Sequence, residues 1–416
     1  MEKHVVVVGG GMVGVSCALY LLKKQFKVTL IEKNEIGRET SYGNAGVISR
    51  GSILPLNNAR LTSSLPRYMN NRHPALRYNY KYIINNKSWV YNFISEATEE
   101  STQRRSAALN TLITPALAEH KMLMEEANTS FRLRDNGWLK LFRSEASYDG
   151  SAYEQGIYRQ HNVGFEVVDS AQIHELEPNL QHIFKKGLWI TDTASVNNPG
   201  EVVAAYARLF TEMGGLIVKD AVRGIERTAE TFLILGTRQN YQADDVVLAT
   251  GPWVNDLLKP FQYRVPMGFE RGYHQHFHAV NDLLLNRPFY DVEGSYVMSP
   301  TDMGLRISTG VELNNQHASP NHSQLNQVIP KAREAFQLGG ECHSNVWLGS
   351  RPSLPDAMPI IGAVPGTSGL WLACGHQHIG FSTGPVTGKL IADMVAGEST
   401  SIDTQAFKAE RFKQSA

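Results

Sequence analysis

The sequence predicts an α/β protein in two parts, one built on a parallel sheet and the other, of α+β type, on a mainly antiparallel sheet. Two observations lead to this fold class. His4–Val8 is a continuous β-branched run, as in a buried parallel strand, and a glycine-rich turn with a helical pattern follows it. Residues 261–313, in contrast, contain alternating apolar and polar stretches typical of antiparallel strands. A chain of 416 residues is long enough to form two such cores.

The composition is that of an ordinary globular protein, with 42% hydrophobic and 19% charged residues. The formal net charge is zero, so there is no global electrostatic basis for binding nucleic acid. Cys17, Cys342 and Cys374 are widely spaced, which argues against a disulfide framework or a cysteine-based metal site and fits a reducing compartment. Because no uninterrupted stretch approaches the roughly 20 apolar residues of a membrane helix, we expect a cytoplasmic protein.

The first strand is followed by GGGMVG, which places a G-x-G-x-x-G motif at Gly9, Gly11 and Gly14. Gly9 allows the tight turn, Gly11 lets the backbone approach a pyrophosphate, and Gly14 lets the helix pack on the strand. The helix N-terminus offers N–H groups to phosphates, and Glu32, at the end of the next strand, is placed to bind ribose hydroxyls. The pattern predicts a Rossmann-like dinucleotide-binding domain and leaves NAD and FAD open. The expected contacts in this segment are Gly9, Gly11, Met12, Val13, Gly14, Glu32 and Lys33.

The loop after the second strand favours FAD. An NAD-binding domain normally continues there with another βα unit, whereas SYGNAGVIS at residues 41–49 is a loop of small residues that can pass close to a flat ring system. ETSYGNAGVIS resembles the second flavin-contacting loop of the D-amino acid dehydrogenase family, within the D-amino acid oxidase and glycine oxidase superfamily. The resemblance implies non-covalent FAD, because no cysteine stands where the sarcosine oxidase branch attaches its flavin. It places these loop residues beside the flavin: Ser41, Asn44, Ala45, Gly46 and Val47.

The C-terminal segment carries the strongest chemical signal. Arg351 precedes Pro352, and the planar fork of an arginine binds a carboxylate through two hydrogen bonds. A short strand then enters a glycine-rich loop and a helix from about residue 382 to 395, whose N-terminus would stabilise negative charge on a ligand. The pattern RPxxPDxxPxIG followed by GH resembles the same superfamily, which implies that Arg351 binds the substrate carboxylate. The flavin contacts implied here are Gly375, His376, Ile379, Gly380, Phe381, Ser382 and Thr383, with Thr250 and Gly251 of the ATG turn over the nucleotide.

Three further residues are candidates for the chemistry. His376 would stabilise the reduced flavin or accept a proton, or it would simply pack within the loop. Tyr273 and Tyr296 lie in the antiparallel part, where a hydroxyl would make a second contact to the substrate carboxylate, or would only pack in the sheet. The pair His274 and His276 has no carboxylate at ligand spacing, so we expect no metal site.

The resemblance extends over nearly the whole chain and divides it into a discontinuous FAD-binding domain and a substrate-binding domain. The first collects residues 1–60, 190–260 and 345–416. The second collects residues 61–189 and 261–344, and it includes a helical insertion.

One segment has a biased charge. Residues 40–95 contain no Asp or Glu but seven Arg and Lys, interleaved with tyrosines and a tryptophan. Such a surface suits anionic lipid head groups at the inner face of a membrane. In the alternative, its charges pair with acids elsewhere or face water.

We expect an FAD-dependent oxidoreductase that oxidises the CH–NH bond of a D-amino acid. Arg351 would hold the carboxylate while the Cα–H passes as hydride to flavin N5, and the imine would hydrolyse to a 2-oxo acid and ammonia. The alternatives are a secondary or cyclic amine substrate (cis-4-hydroxy-D-proline, D-proline or sarcosine), a non-catalytic flavin-binding subunit and an NAD-dependent dehydrogenase. The electron acceptor is either a respiratory-chain quinone or oxygen.

Overall fold

The computed structural model describes residues 3–412, which form 23 β-strands and 13 α-helices. The strands, in chain order, are β1 (His4–Val8), β2 (Lys27–Glu32), β3 (Val47–Ile48), β4 (Leu76–Tyr78), β5 (Leu133–Arg134), β6 (Trp138–Phe142), β7 (Phe165–Asp169), β8 (Lys186–Ile190), β9 (Ala194–Val196), β10 (Leu216–Lys219), β11 (Val222–Arg227), β12 (Phe232–Gly236), β13 (Asn240–Ala243), β14 (Asp245–Leu248), β15 (Gly268–Ala279), β16 (Phe289–Asp291), β17 (Tyr296–Thr301), β18 (Gly304–Ser308), β19 (Val311–Leu313), β20 (Leu338–Glu341), β21 (Trp347–Ser353), β22 (Ile360–Val364) and β23 (Thr367–Cys374). The helices are α1 (Met12–Lys23), α2 (Leu61–Tyr68), α3 (Tyr80–Asn85), α4 (Lys87–Ser95), α5 (Glu99–Ile113), α6 (Ala116–Glu126), α7 (Glu145–Asp149), α8 (Ala152–Gln160), α9 (Ser170–Leu176), α10 (Pro199–Glu212), α11 (Val254–Leu258), α12 (Ser323–Ala335) and α13 (Gly380–Ala396).

A six-stranded sheet in the order β10-β2-β1-β14-β23-β22 is parallel throughout except for β22, which runs antiparallel to β23. Its central strand β1 is buried on both faces. Val5 and Val7 pack in a core with helices α1, α10 and α13, whereas Val6 and Val8 pack in a second core with the antiparallel sheet β11-β12-β13. The continuous β-branched run therefore reflects a strand with two buried faces, which confirms the predicted parallel sheet.

Helices α1 and α13 pack closely because α13 presents glycines to α1. A Cβ at Gly388 would lie 2.5 Å from the carbonyl of Ser16, and one at Gly384 would lie 2.5 Å from the Met12 side chain. The two helices begin beside each other, since Gly380 at the start of α13 is close to Val13. Two helix N-termini thus lie at the same edge of the parallel sheet. The G-x-x-x-G spacing at residues 384–388 is the sequence signal for this packing.

The larger sheet has eleven strands, in the order β4-β19-β15-β18-β17-β16-β6-β8-β7, with β20 and β21 also paired to β15. Its pairs are antiparallel except β4 with β19 and β6 with β16, so the prediction of a mainly antiparallel second sheet is confirmed. In the pair β15 and β21, Glu270 lies opposite Arg351.

The strand that carries Arg351 belongs to this larger sheet, although the sequence boundary at residue 345 assigned it to the FAD-binding part. For helices α5 and α6 the predicted and the observed domain are the reverse of those for β21. They were assigned to the substrate-binding part, but Leu112 and Leu123 pack in the core of the parallel sheet. The reason is the same in both cases. Which sheet or core a segment joins depends on partners that are distant in the sequence, and the order of motifs along the chain does not reveal those partners.

Candidate active site

A cleft of about 440 Å³ runs from the glycine-rich loop after β1 to the strands of the eleven-stranded sheet. The carboxyl ends of β1, β2 and β14 open into it, as is usual for ligand sites on parallel sheets. Most of the residues predicted to form the site line this cleft. They are Gly9, Gly11, Met12, Val13, Glu32, Lys33, Ser41, Asn44, Ala45, Val47, Thr250, Gly251, Arg351, Gly375, His376, Gly380, Phe381 and Ser382.

The glycine-rich loop is shaped so tightly that side chains do not fit. Gly9 has φ +112°, and a Cβ there would lie 2.5 Å from the carbonyl oxygen of Ala249. A Cβ at Gly14 would lie 1.8 Å from the carbonyl oxygen of Gly9, so Gly14 lets α1 approach the loop without lining the cleft. The Glu32 carboxylate accepts a hydrogen bond from the N–H of Gly10 at 2.6 Å. Glu32 therefore fixes the loop while it also lines the cleft.

The small-residue loop after β2 is held against α1. The Ser41 hydroxyl accepts a hydrogen bond from the N–H of Met12 at 3.0 Å, at the first turn of that helix. Within the loop, the Asn44 side chain accepts the N–H of Gly46 at 2.8 Å. Gly46 has φ +78° and does not line the cleft. The loop thus has a defined path along the cleft wall, and Gly46 contributes only to its shape.

Arg306 fastens this loop to the larger sheet. It is fully buried and donates hydrogen bonds to the carbonyl oxygens of Tyr42, at 2.9 Å, and Asn44. Its Nε donates to Nε2 of His276 at 3.0 Å. Burial lowers the pKa of Arg306 to about 10, so it stays charged at neutral pH. Among residues 3–412 Arg306 forms no ion pair, so its contacts are those of a support for the loop.

The N-terminus of α13 contributes free N–H groups. The first bond of the helix runs from the N–H of Thr383 to the carbonyl of Ile379, at 2.9 Å. Within the part of the chain that the structure describes, the N–H groups of Gly380, Phe381 and Ser382 have no acceptor, as expected for a first helical turn. Those three residues line the cleft, whereas Ile379 and Thr383 are buried behind it. The helix end therefore offers donors and a partial positive charge to an anionic ligand.

Four buried polar side-chain atoms in the cleft lack a partner in the described chain: Oγ1 of Thr250, Oγ of Ser308, Nε2 of Gln377 and Nδ1 of His378. Buried polar groups are nearly always hydrogen-bonded in folded proteins. A ligand with polar groups along its length is therefore needed to satisfy this cleft.

Arg351 reaches into the substrate end of the cleft across Gly272. A Cβ at Gly272 would lie 2.8 Å from Nη2 of Arg351, so this glycine makes room for the guanidinium. Within residues 3–412 the Arg351 side chain makes no hydrogen bond and no ion pair within 4 Å. Burial lowers its pKa, and the charge of nearby Glu270 opposes that effect. Its fork of N–H donors is thus available to a carboxylate.

The two histidines of the flavin loop are neutral. Burial lowers the pKa of His376 to about 3, and its Nε2 is hydrogen-bonded to Oγ1 of Thr387 at 3.0 Å. Burial and the neighbouring charge of Arg351 lower the pKa of His378 to about 4. At neutral pH both rings therefore offer hydrogen bonds and no positive charge. A role for His376 as a cation beside the flavin does not fit this environment.

These pKa values predict a loss of stability in mild acid. Burial lowers the pKa of His276 and His376 to about 3 and that of His120 to about 4. Below pH 6.5 the unfolded chain binds these protons while the folded protein does not, so stability falls as the pH falls toward the folded-state values. The linkage amounts to roughly 2 kcal/mol per histidine at pH 5.

Thermal unfolding measured between pH 7.5 and 5 should show this decrease. The variant His120→Gln should flatten the curve relative to the parent protein. If stability falls with decreasing pH at the same slope in both proteins, His120 does not contribute to the acid sensitivity.

Tyr273 and Tyr296 do not line the cleft. The Tyr273 hydroxyl is hydrogen-bonded to the Glu312 carboxylate and accepts the N–H of Asn321 at 2.9 Å. Tyr296 packs edge-on against Phe289 in the core of the larger sheet. The structure therefore gives both tyrosines a packing role, and neither reaches a substrate in the cleft. Their side chains point away because neighbours along a strand face opposite sides of the sheet.

The substrate end instead uses residues that the sequence did not single out. They come from four different strands or their ends: Trp138, Val297, Ser308, Thr309, Trp347 and Gly349. Trp347 stacks on His274, with ring centroids 4.7 Å apart, so this histidine supports the wall without lining the cleft. No local pattern marks these residues, because they converge only when the sheet forms.

Among the described residues no group of three or more His, Cys, Asp or Glu is arranged to hold a metal ion. Cys374 lines the cleft, and burial raises the pKa of its thiol to about 12. The thiol is therefore protonated and unreactive at neutral pH.

Comparison with known proteins now decides the family. Residues 4–394 match the family model described as FAD dependent oxidoreductase, DAO. The chain belongs to this family. The choice between NAD and FAD is thereby settled as FAD, and the NAD-dependent alternative is excluded.

Curated relatives of this DAO protein cover nearly its whole length. A D-amino-acid oxidase of Bradyrhizobium diazoefficiens is 26% identical over an alignment of 428 positions, which covers 99% of each chain. A D-amino acid dehydrogenase of Helicobacter pylori is 26% identical over 400 residues, spanning 95% of each chain.

Solved structures share the fold of this DAO protein. Glycine oxidase from Geobacillus kaustophilus superposes with a TM-score of 0.75 at 21% identity, over 99% of this chain and all of that one. L-proline dehydrogenase from P. horikoshii gives a TM-score of 0.75 at 18% identity, over 99% and 98% of the two chains.

The cleft of this DAO protein fits FAD. The glycine loop and the α1 N-terminus suit a pyrophosphate, and Glu32 lies at the end of β2 where a ribose would bind. The small-residue loop and the N-terminus of α13 line the cleft beyond the nucleotide end, and the helix end offers free N–H donors for the flavin ring.

Proposed function

We propose that this FAD-dependent oxidoreductase oxidises the CH–NH bond of a D-amino acid. The products are an imine, which hydrolyses to a 2-oxo acid and ammonia, and reduced FAD. The observation that carries the proposal is the unpaired guanidinium of Arg351 at the end of a cleft that fits FAD. The curated relatives named D-amino-acid oxidase and D-amino acid dehydrogenase support the substrate class.

FAD, when bound, supplies the hydride acceptor at N5 of its flavin ring. The residues that would hold it are those of the glycine loop, the small-residue loop after β2 and the first turn of α13. The free N–H groups of Gly380, Phe381 and Ser382 would stabilise negative charge on the ring.

The chain's own residues act on the substrate mainly by positioning it. Arg351 would bind the carboxylate through two hydrogen bonds and so fix the direction of the Cα–H bond. The neutral His378 has an unpartnered Nδ1 in the same cleft, available as a partner for the substrate amine. Trp138, Val297 and Trp347 would exclude water from the reacting atoms.

The substrate end suits an uncharged side chain. Arg351 is the one charged residue that the larger sheet contributes to the described cleft lining. The other charged residues that line the cleft belong to the nucleotide end: Glu32, Lys33, Glu39, Asp220 and Asp256. We therefore expect neutral D-amino acids to be better substrates than D-glutamate or D-lysine.

The experiment is anaerobic bleaching of the flavin absorbance by a panel of amino acids. It includes neutral and charged D-amino acids, their L-forms, glycine, D-proline, cis-4-hydroxy-D-proline and sarcosine. Rapid bleaching by neutral D-amino acids and none by the L-forms is the expected result. If only cyclic or secondary amines bleach the flavin, they replace primary D-amino acids as the proposed substrate class. If none of the compounds bleaches the flavin, the proposal is overturned. Re-admission of air then distinguishes oxygen from a quinone as acceptor.

A further inference from the structure

The lobe between β3 and α5 exposes large apolar side chains. Met69, Tyr80, Ile84 and Tyr91 are 72%, 62%, 69% and 72% exposed. Ile84 and Tyr91 lie on the consecutive short helices α3 and α4. Exposed apolar residues are ordinary when single, but a group of them marks a contact surface.

Tyr78 links two of these exposed residues, Met69 and Tyr80. The ring of Tyr78 packs edge-on against Tyr80, with centroids 5.3 Å apart, and its hydroxyl donates to the carbonyl of Met69 at 3.0 Å. Asn71 bonds the N–H of Tyr78 through its side chain, which holds the Met69 loop beside β4. Met69 therefore lies next to the start of α3. We define the α3–α4 surface as Arg67, Met69, Arg72, Tyr80, Lys81, Ile84, Lys87 and Tyr91.

The charge of this surface is positive and uncompensated. Residues 40–95 contain no Asp or Glu. Within residues 3–412, Arg67, Arg72, Lys81 and Lys87 form no ion pair, whereas twenty ion pairs occur elsewhere in that range. The sequence left open whether these charges pair with distant acids. Within the described residues, such pairing is excluded for these four cations. They face outward beside exposed apolar groups.

The inner side of the lobe is fixed to the strands that hold the substrate end of the cleft. Trp89 donates through Nε1 to the carbonyl of Ser353 in β21, at 3.2 Å. The Tyr82 hydroxyl accepts the N–H of Phe269 in β15, at 3.0 Å. The outward face is therefore presented on a rigid base, two residues along β21 from Arg351.

We propose that the α3–α4 surface binds the head-group region of an anionic lipid bilayer. The four cations match anionic head groups, and the side chains of Met69, Ile84 and Tyr91 match the adjoining apolar layer. A second copy of the same surface fits poorly, because it would bring like charges together at a symmetric interface. No helix in the described residues is long and apolar enough to cross a membrane. The surface would hold the enzyme where lipid-soluble quinones are dissolved.

The test is co-sedimentation of the FAD-loaded protein with sucrose-filled vesicles. We expect binding to vesicles of phosphatidylglycerol and phosphatidylcholine and little to phosphatidylcholine alone. The double variant Lys81→Gln, Lys87→Gln should have a vesicle partition coefficient lower by a factor on the order of 30. This factor follows because each lysine near an anionic surface contributes about 1 kcal/mol of binding free energy. The matched control is Lys185→Gln with Lys219→Gln, two exposed lysines outside the lobe. The control should bind as the parent does.

The apolar half of the surface has its own control. Ile84→Ser with Tyr91→Ser should weaken vesicle binding, and Phe131→Ser with Leu284→Ser, which remove side chains of similar exposure elsewhere, should not. Absence of binding to anionic vesicles, or equal loss in the test and control variants, would overturn the proposal. A dimer that Ile84→Ser dissociates, with no vesicle binding, would also overturn it in favour of a second copy. None of these results depends on the identity of the substrate, so the bilayer contact and the proposed reaction fail separately.

Discussion

Arg351→Ala is expected to lower kcat/KM for a D-amino acid by roughly 100-fold, mainly through KM. The variant removes the two charge-assisted hydrogen bonds to the substrate carboxylate, which together contribute about 3 kcal/mol. Folding should be unaffected, because within residues 3–412 Arg351 makes no hydrogen bond or ion pair that the substitution would break. Steady-state kinetics, with the flavin absorbance to confirm FAD loading, measures the effect. An unchanged KM in FAD-loaded protein would remove Arg351 from substrate binding.

Two companion variants separate charge from geometry. Arg351→Lys keeps the charge but loses the planar fork, so it should recover only part of the activity. Gly272→Ala adds a methyl group 2.8 Å from Nη2 of Arg351, so the guanidinium must shift and KM should rise roughly tenfold while FAD stays bound. Gly340→Ala is the control, because it lies on a strand paired with β15 and its Cβ meets no atom within 4 Å. Equal kinetics for the two alanine variants would refute the positioning role of Gly272.

Gly9→Ala should abolish stable FAD binding, which is the second large effect. An alanine at φ +112° is strained, and its Cβ would also lie 2.5 Å from the carbonyl oxygen of Ala249. The loop must move away from β14, which displaces the N–H groups beside the pyrophosphate site. We expect FAD affinity to fall at least about 100-fold, for a distortion on the order of 3 kcal/mol.

The measurement is the ratio of flavin to protein absorbance after gel filtration, together with thermal unfolding. Gly156→Ala is the control, since this glycine lies in α8 with no atom within 4 Å of an added Cβ. It should keep its FAD and gain about 0.5–1 kcal/mol of stability from the better helix former. Stoichiometric FAD in Gly9→Ala would show that the loop tolerates a side chain.

The sequence by itself determined the elements whose signals are local. The short apolar run DVVL at residues 245–248 forms β14 (Asp245–Leu248), and Pro115 lies at the break between α5 and α6. Asn198, which precedes Pro199 at the first turn of α10, caps that helix by accepting the N–H of Glu201 at 3.1 Å. These signals are readable because the atoms that interact are within a few residues of one another.

Only the tertiary structure decided which side chains share the substrate end of the cleft. Arg351 belongs to the larger sheet because β21 pairs with β15, some eighty residues earlier in the chain. Tyr273 and Tyr296 have the residue type suited to a carboxylate contact, yet their strands turn them away from the cleft. Which face of a strand meets the cleft depends on its register, and a one-residue difference reverses every side chain. Long-range strand pairing therefore determines which residues line the substrate pocket, whereas the residues of the nucleotide loop themselves determine its shape.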